Sequence, residues 1–237
     1  NEGGRLRSFQ AALEGGVVTS DFPIFMCLSC NLDSVYSTCL RCGSSCTNRL
    51  YCPRCDSFST GQCLEHNNGV PYKTQRLDIK SYFDHARSLV GLRNEEIPIF
   101  KGIRGTSSKN HSCEHLGKGL LRARHNLNVN KDGTIRYDMT EMPLNHFKPL
   151  EIGTGVEHLK KLGYLKDIYG NVLERDDQIL ELYPHDIVLP SCPDSADEGA
   201  DDVFLRVSSF VDEELEKLYS LPRFYNSQKR VDLIGHL

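Results

Sequence analysis

Apolar residues recur three or four apart in two clear stretches. Ile79, Phe83, Ala86, Leu89 and Val90, separated by charges, predict a helix over 77–92 that lays one face on a core. Phe204, Val207, Phe210, Val211, Leu215 and Leu218 predict another over 203–218, with an acidic opposite face. Arg5 to Leu13 reads as a short helix stopped by Gly15-Gly16, and Glu114 to His125 as a further helix. Val17 to Met26 reads as extended chain, and Ile97 to Ile103 as a strand. Residues 128–137 form a predicted hairpin turning at Asp132-Gly133. Thr154 followed by Glu157 predicts a capping box on a helix ending near Gly163. Gln178 to Leu182 and Asp186 to Leu189 read as short strands around Pro184. Helices and strands mixed in this way give an α+β class.

Between Val17–Met26 and the helix at 77–92 the apolar period disappears and cysteines take its place. Of ten cysteines in 237 residues, eight fall between Cys27 and Cys63, several as C-x-x-C pairs. Cys27-x2-Cys30 and Cys39-x2-Cys42 stand about one hairpin apart, and four thiolates suit tetrahedral zinc. Gly43 follows the second pair, where a knuckle commonly needs a positive φ. Cys52-Pro53-Arg54-Cys55 with Cys63-x2-His66 supplies three more thiolates and an imidazole at matching spacing, although Asp56 stands where a knuckle glycine would help. Cys46 lies close enough to compete and is read as left out of both sets. Both sets are closed, so the metal is structural rather than catalytic. With so few apolar residues here, metal binding supplies the folding free energy, on the order of 10 kcal/mol per site. Reduced but unliganded thiols, and a redox pair, fit this run of paired cysteines less well.

Composition adds limits. Hydrophobics at 39% and charges at 25% are globular values, and a net charge of −4 gives no global electrostatic case for nucleic acid, so any DNA contact is local. No run approaches the roughly 18 apolar residues that cross a bilayer, and the N-terminus lacks a secretory signal pattern. The expectation is a cytoplasmic protein with no membrane contact. Because the sequence starts without Met and ends on Val231-Asp232-Leu233-Ile234-Gly235-His236-Leu237, it reads as a fragment.

Arg104, Lys109, Lys118, Arg122 and Arg124 cluster in one helix and its approach, among Gly105, Ser107, Ser108, Gly117 and Gly119. Such a stretch brings amides and cations to phosphates, and equally well makes a solvated face. His111, Cys113 and His115 have no standard metal spacing and read as surface residues, and Asp176-Asp177 as an exposed turn. No nucleophile–base arrangement, Walker loop or dinucleotide fingerprint occurs.

A longer-range pattern carries more. Lys118-Gly119-Leu120-Leu121-Arg122-Ala123-Arg124 and Lys131-Asp132-Gly133-Thr134-Ile135-Arg136-Tyr137-Asp138 open a series. His146-Phe147-Lys148-Pro149, Leu162-Gly163-Tyr164, Asp167-Ile168-Tyr169-Gly170-Asn171, Phe224-Tyr225-Asn226 and Asp232 to Leu237 follow in order. This series resembles the large subunit of the archaeal family D DNA polymerase, also called DNA polymerase II, over nearly the whole chain. The resemblance implies a subunit of a heterodimeric replicative polymerase. It further implies a small partner subunit carrying a 3′–5′ exonuclease, contacts to template-primer DNA and to a sliding clamp through the intact subunit, and two double-psi β-barrels. The family's Asn-Cys-Asp-Gly-Asp-Glu-Asp motif and its lysine-rich stretch are absent here, which implies the region between them, inactive by itself, with zinc here and Mg²⁺ in the intact enzyme. The family commonly uses four cysteines at its second zinc site, where this sequence offers His66 in the last place.

The expected plan is therefore a lead-in helix and strand (1–26), zinc-ribbon modules (27–75), a mixed α/β region (76–190), an acidic loop (191–202) and a helical segment leading into the second barrel (203–237). The rival is a free-standing zinc-ribbon adaptor that docks a protein on the acidic helix at 203–218.

Overall fold

The computed structural model describes residues 9–93, 100–103, 113–130, 133–136, 143–184, 186–189, 196, 198–229 and 232. The chain divides into two compact units, 1–136 with 210–225, and 137–209 with 226–237.

In the first unit α1 (Phe9–Gly15) leads into β1 (Val17–Pro23), whose alternation turns Val18 and Phe22 inward. The partner of β1 is β7 (Tyr72–Asp78), antiparallel from Val17↔Asp78 to Pro23↔Tyr72. The polar sequence of β7 hid it, and Leu77, read as helical, belongs to this strand. Asp78 ends the strand and caps α2 (Ile79–Leu89), its carboxylate accepting from the amides of Lys80 (3.0 Å) and Ser81 (3.2 Å). Ala12, Val18, Phe22, Val35, Tyr36 and Ile79 form the core of this part.

Helix α3 (Leu116–Arg124) packs on α2 and buries Leu120 and Leu121 completely. A Cβ on Gly119 would stand 2.6 Å from Phe100 Cζ, so glycine is what lets that ring approach. Of the strand expected at 97–103, residues 97–99 lie outside the described chain, and 100–103 are not a strand. The hairpin appears as the antiparallel bridge Val129↔Ile135 with Gly133 at φ 86°; Asp132 lies outside the described residues.

Between β1 and β7 the chain builds β2 (Phe25–Cys27), β3 (Asp33–Ser34) and β4 (Cys46–Asn48) as one sheet in the order β3-β2-β4, then β5 (Leu50–Cys52) and β6 (Ser57–Ser59) as a hairpin.

In the second unit β8 (His146–Phe147) pairs with β9 (Leu180–Glu181), and Phe147, Leu159, Tyr164, Leu173 and Leu180 form the core. Between these strands lie α4 (Pro149–Ile152) and α5 (Val156–Lys161). Gly155, not Thr154, caps α5. The Thr154 amide is held by Pro149 O (3.2 Å) at the end of α4, its hydroxyl is buried without a partner, and Glu157 pairs with Lys160 instead. Asp186–Leu189 is not a strand; the Asp186 carboxylate is buried, accepting from the Tyr164 hydroxyl at 2.5 Å. Helix α6 (Ala200–Tyr219) starts three residues before the expected Val203, with Asp201 and Asp202 in the first turn, where the helix dipole favours anions.

The described strands make small antiparallel sheets of two or three strands, none of which closes into a barrel. No described helix is long and apolar enough to cross a membrane.

Candidate metal centres

Cys27 ends β2, Cys30 lies in the turn behind it, and Cys39 and Cys42 flank a second turn that leads to β4. The four sulfurs lie within 4.8 Å of one another. Cys52 ends β5, Cys55 lies in the turn into β6, and Cys63 and His66 flank the following turn; their ligand atoms gather within the same limit.

The turns share one backbone device. The residue after the second ligand of each pair has positive φ: Asn31 (55°), Gly43 (72°), Asp56 (49°) and Asn67 (44°). In three of them that residue's amide donates to the carbonyl of the first cysteine: Asn31 to Cys27 (2.9 Å), Gly43 to Cys39 (2.9 Å) and Asn67 to Cys63 (2.7 Å). The reversal turns amides toward sulfur, as in the contact from Cys30 N–H to Cys27 Sγ (3.4 Å). Asp56, standing where a knuckle glycine would help, holds the conformation itself. Its carboxylate accepts from Lys73 Nζ (2.7 Å) and the Tyr51 hydroxyl (2.9 Å).

The spacings suit zinc. Bonds of about 2.3 Å to sulfur and about 2.0 Å to nitrogen set tetrahedral edges of roughly 3.5–3.8 Å. Cys27 Sγ and Cys42 Sγ stand 3.5 Å apart, Cys55 Sγ and Cys63 Sγ 3.6 Å, and His66 Nδ1 is 3.7 Å from both Cys52 Sγ and Cys63 Sγ. Each set holds thiols poised as thiolates, Cys42 in the first and Cys63 and Cys52 in the second. The Ser44 hydroxyl and then Cys30 bring Cys42 down to about 6, and His66 brings Cys63 down to about 6. Cys30, hydrogen-bonded to Cys42, keeps its proton up to about 12. Cys46 pairs with Cys27 across the β2–β4 ladder but falls outside both sets, and burial pushes its thiol up to about 11.

Of the five candidate DNA-contact cations, Arg104 and Lys109 lie outside the described residues. The other three sit on α3, and each meets a carboxylate: Lys118 with Glu214 (2.8 Å), Arg122 with Glu114 (2.8 Å) and Arg124 with Glu213 (3.2 Å). Arg122, 8% exposed, also donates to Gly102 O (2.9 Å) and so holds the backbone. Glu213, Glu214 and Glu216, on the part of α6 that belongs to the first unit, are thus met by cations of that unit, Glu216 by Arg223 (2.7 Å).

His111 lies outside the described residues, but Cys113 and His115 are not the surface residues expected. The His115 ring rests 4.7 Å from that of Tyr36, its Nδ1 accepts from Gly117 N–H (3.0 Å), and burial brings its pKa down to about 4. Cys113 packs against the core, and burial pushes its thiol up to about 12.

The family described as "DNA polymerase II large subunit DP2, catalytic domain" matches residues 93–237. The DNA polymerase II large subunit of Nanoarchaeum equitans is 37% identical, the alignment covering 100% of this chain and 22% of that protein. That of Methanoculleus marisnigri is 38% identical over 100% of this chain and 19% of its own length, and that of Thermococcus kodakarensis 38% over 99% and 13%. The chain spans about a fifth, or less, of the length of these curated relatives. Both cysteine sets precede Arg93, yet they too fall inside the stretch aligned with the relatives. From its first cysteine pair to its last helix, this chain belongs to the DNA polymerase II large-subunit family.

Proposed function

We propose that this chain is the zinc-bearing region of the large subunit of a cytoplasmic, replicative, DNA-directed DNA polymerase. The alignment of its whole length with DNA polymerase II large subunits carries this reading. The complete subunit makes DNA from deoxynucleoside triphosphates on a template-primer, beside a small subunit with 3′–5′ exonuclease activity, and meets a sliding clamp.

Within that enzyme Cys27, Cys30, Cys39 and Cys42 hold one zinc, and Cys52, Cys55, Cys63 and His66 a second. Each ion fixes turns that have too little apolar surface to order themselves. Nucleotidyl transfer uses Mg²⁺ held by the family's aspartate-rich motif, which does not occur between residues 1 and 237, so this segment positions and does not react. The chain leads toward the family's second double-psi barrel. Arg104, Lys109, Lys118, Arg122 and Arg124 form the stretch that lies along DNA phosphates. Arg122 serves it from behind by fixing Gly102, while Lys118 and Arg124 exchange their carboxylates for phosphate. The adaptor alternative is disfavoured, because the whole length of the chain aligns with DNA polymerase II large subunits.

Two measurements test this. The purified chain should hold two zinc ions, falling to one in Cys52→Ser and staying at two in Cys46→Ser. The full-length subunit assembled with its small partner should extend a primed template; a zinc-loaded assembly that incorporates no nucleotide would overturn the polymerase reading.

A further inference from the structure

The first unit carries a cleft of about 290 Å³ between the turn before Cys39, the start of α3 and the end of α6. That volume lies near the lower edge, about 300 Å³, of sites that enclose a small ligand. Its deeper wall is apolar: Tyr36 and Leu218 are buried, and Cys113 and the neutral His115 ring pack beside them. Its mouth is polar. Ser37 and Thr38 line it with hydroxyls, Glu114 lines it with its charge met by Arg122, the half-exposed Tyr219 ring faces Lys118 at 5.4 Å, and Lys118 is held there by Glu214.

We infer that this cleft receives one unstacked base of a single DNA strand, with Lys118 beside its phosphate. This rests on the DNA-contact reading above. The chemistry is that of a single-strand site: aromatic surface for a base's π face, donors and acceptors for its edge, and a cation for the backbone. An apolar peptide side chain would leave the Ser37 and Thr38 hydroxyls unmatched, whereas a nucleotide offers its base edge to them and its phosphate to Lys118 in exchange for Glu214. Because Ser37 and Thr38 directly precede Cys39, and Cys46 N–H binds Ser37 O at 2.7 Å, the first metal set fixes one wall of the cleft.

The test uses the zinc-loaded chain and Ser37→Trp, which fills the mouth from an exposed position and removes no ligand; zinc content and circular dichroism confirm that both are folded. Deoxyadenosine monophosphate should shift the NMR signals of His115 and Tyr219 in the native protein. Ser37→Trp should weaken binding of a twelve-base oligo-dA about tenfold relative to a duplex of equal length, as loss of one stacked base predicts. Equal single-strand and duplex binding by both proteins would overturn the cleft and leave the DNA reading standing. Shifts with N-acetyl-phenylalaninamide but not with the nucleotide would make the cleft a protein-docking site and overturn the inference. Failure of the native chain to bind either DNA at low salt would remove the DNA-contact reading and the cleft with it.

Discussion

Asn31, Gly43, Asp56 and Asn67 show how much a single backbone angle decides at a metal site. The left-handed region costs most side chains roughly 1–2 kcal/mol, and glycine, asparagine and aspartate bear it best. A search for knuckle glycines finds Gly43 alone; the wider rule, a Gly, Asn or Asp after the second ligand, finds all four. Asp56→Gly should therefore keep the second zinc against a chelator as long as the native chain does, and Asp56→Ala should release it faster, as followed by a colorimetric zinc indicator. His115 makes the opposite point, since the polar approach before it suggests a surface, and the ring that packs on it is Tyr36, far away in the chain. Its depressed pKa means that the folded state binds fewer protons than the unfolded state between about pH 6.5 and 4. Stability from this group is full above that window and is lost as pH falls through it, by about 3 kcal/mol in all. Denaturant midpoints of His115→Gln should show a shallower pH slope across that window than the native chain, acid release of zinc being common to both.

Elements were legible where a hydrophobic period marked them. Helices α2 and α6 stood out for this reason, whereas β7 did not, because its residues face a partner ladder more than a core. The cations of α3 were visible as a cluster, but Glu114, Glu213 and Glu214, which decide what each one does, become neighbours only on folding. Arg122 and Arg124 are two residues apart and should behave differently. Arg122→Ala removes one donor from Glu114 and one from the Gly102 carbonyl in a part-buried setting, and should cost about 2 kcal/mol. Arg124→Ala removes a more exposed pair and should cost about 0.5 kcal/mol. Urea unfolding of the two variants measures the contrast.

At the scale of the molecule, the first unit gathers sequence from both ends of its range, as the return of residues 210–225 shows, and no local pattern announces that. The two units have separate hydrophobic cores, so removing zinc should not dissolve both. Hydrogen exchange after chelation should show residues 24–70 losing protection while the amides of Leu159, Leu173 and Leu180 keep theirs; loss in both units at once would mean that the metal holds the entire chain. The β1–β7 ladder has a topological meaning as well. Its strands are neighbours in one antiparallel pair, and Ile24 N–H reaches Pro71 O at its open end, so everything from 24 to 71 is in effect the loop of a single hairpin. Closing a loop that long costs chain entropy, which two metal crosslinks inside it reduce by shortening the effective contour. The zinc modules are therefore an insertion in the architectural sense. Val35 and Tyr36, however, reach from that loop into the core beside Ala12, Val18, Phe22 and Ile79. A two-residue Asn-Gly turn joining Pro23 to Tyr72 should therefore keep the ladder but loosen that core, whereas the stretch beyond Leu40 could be lengthened or exchanged in evolution without redesigning the scaffold that carries it.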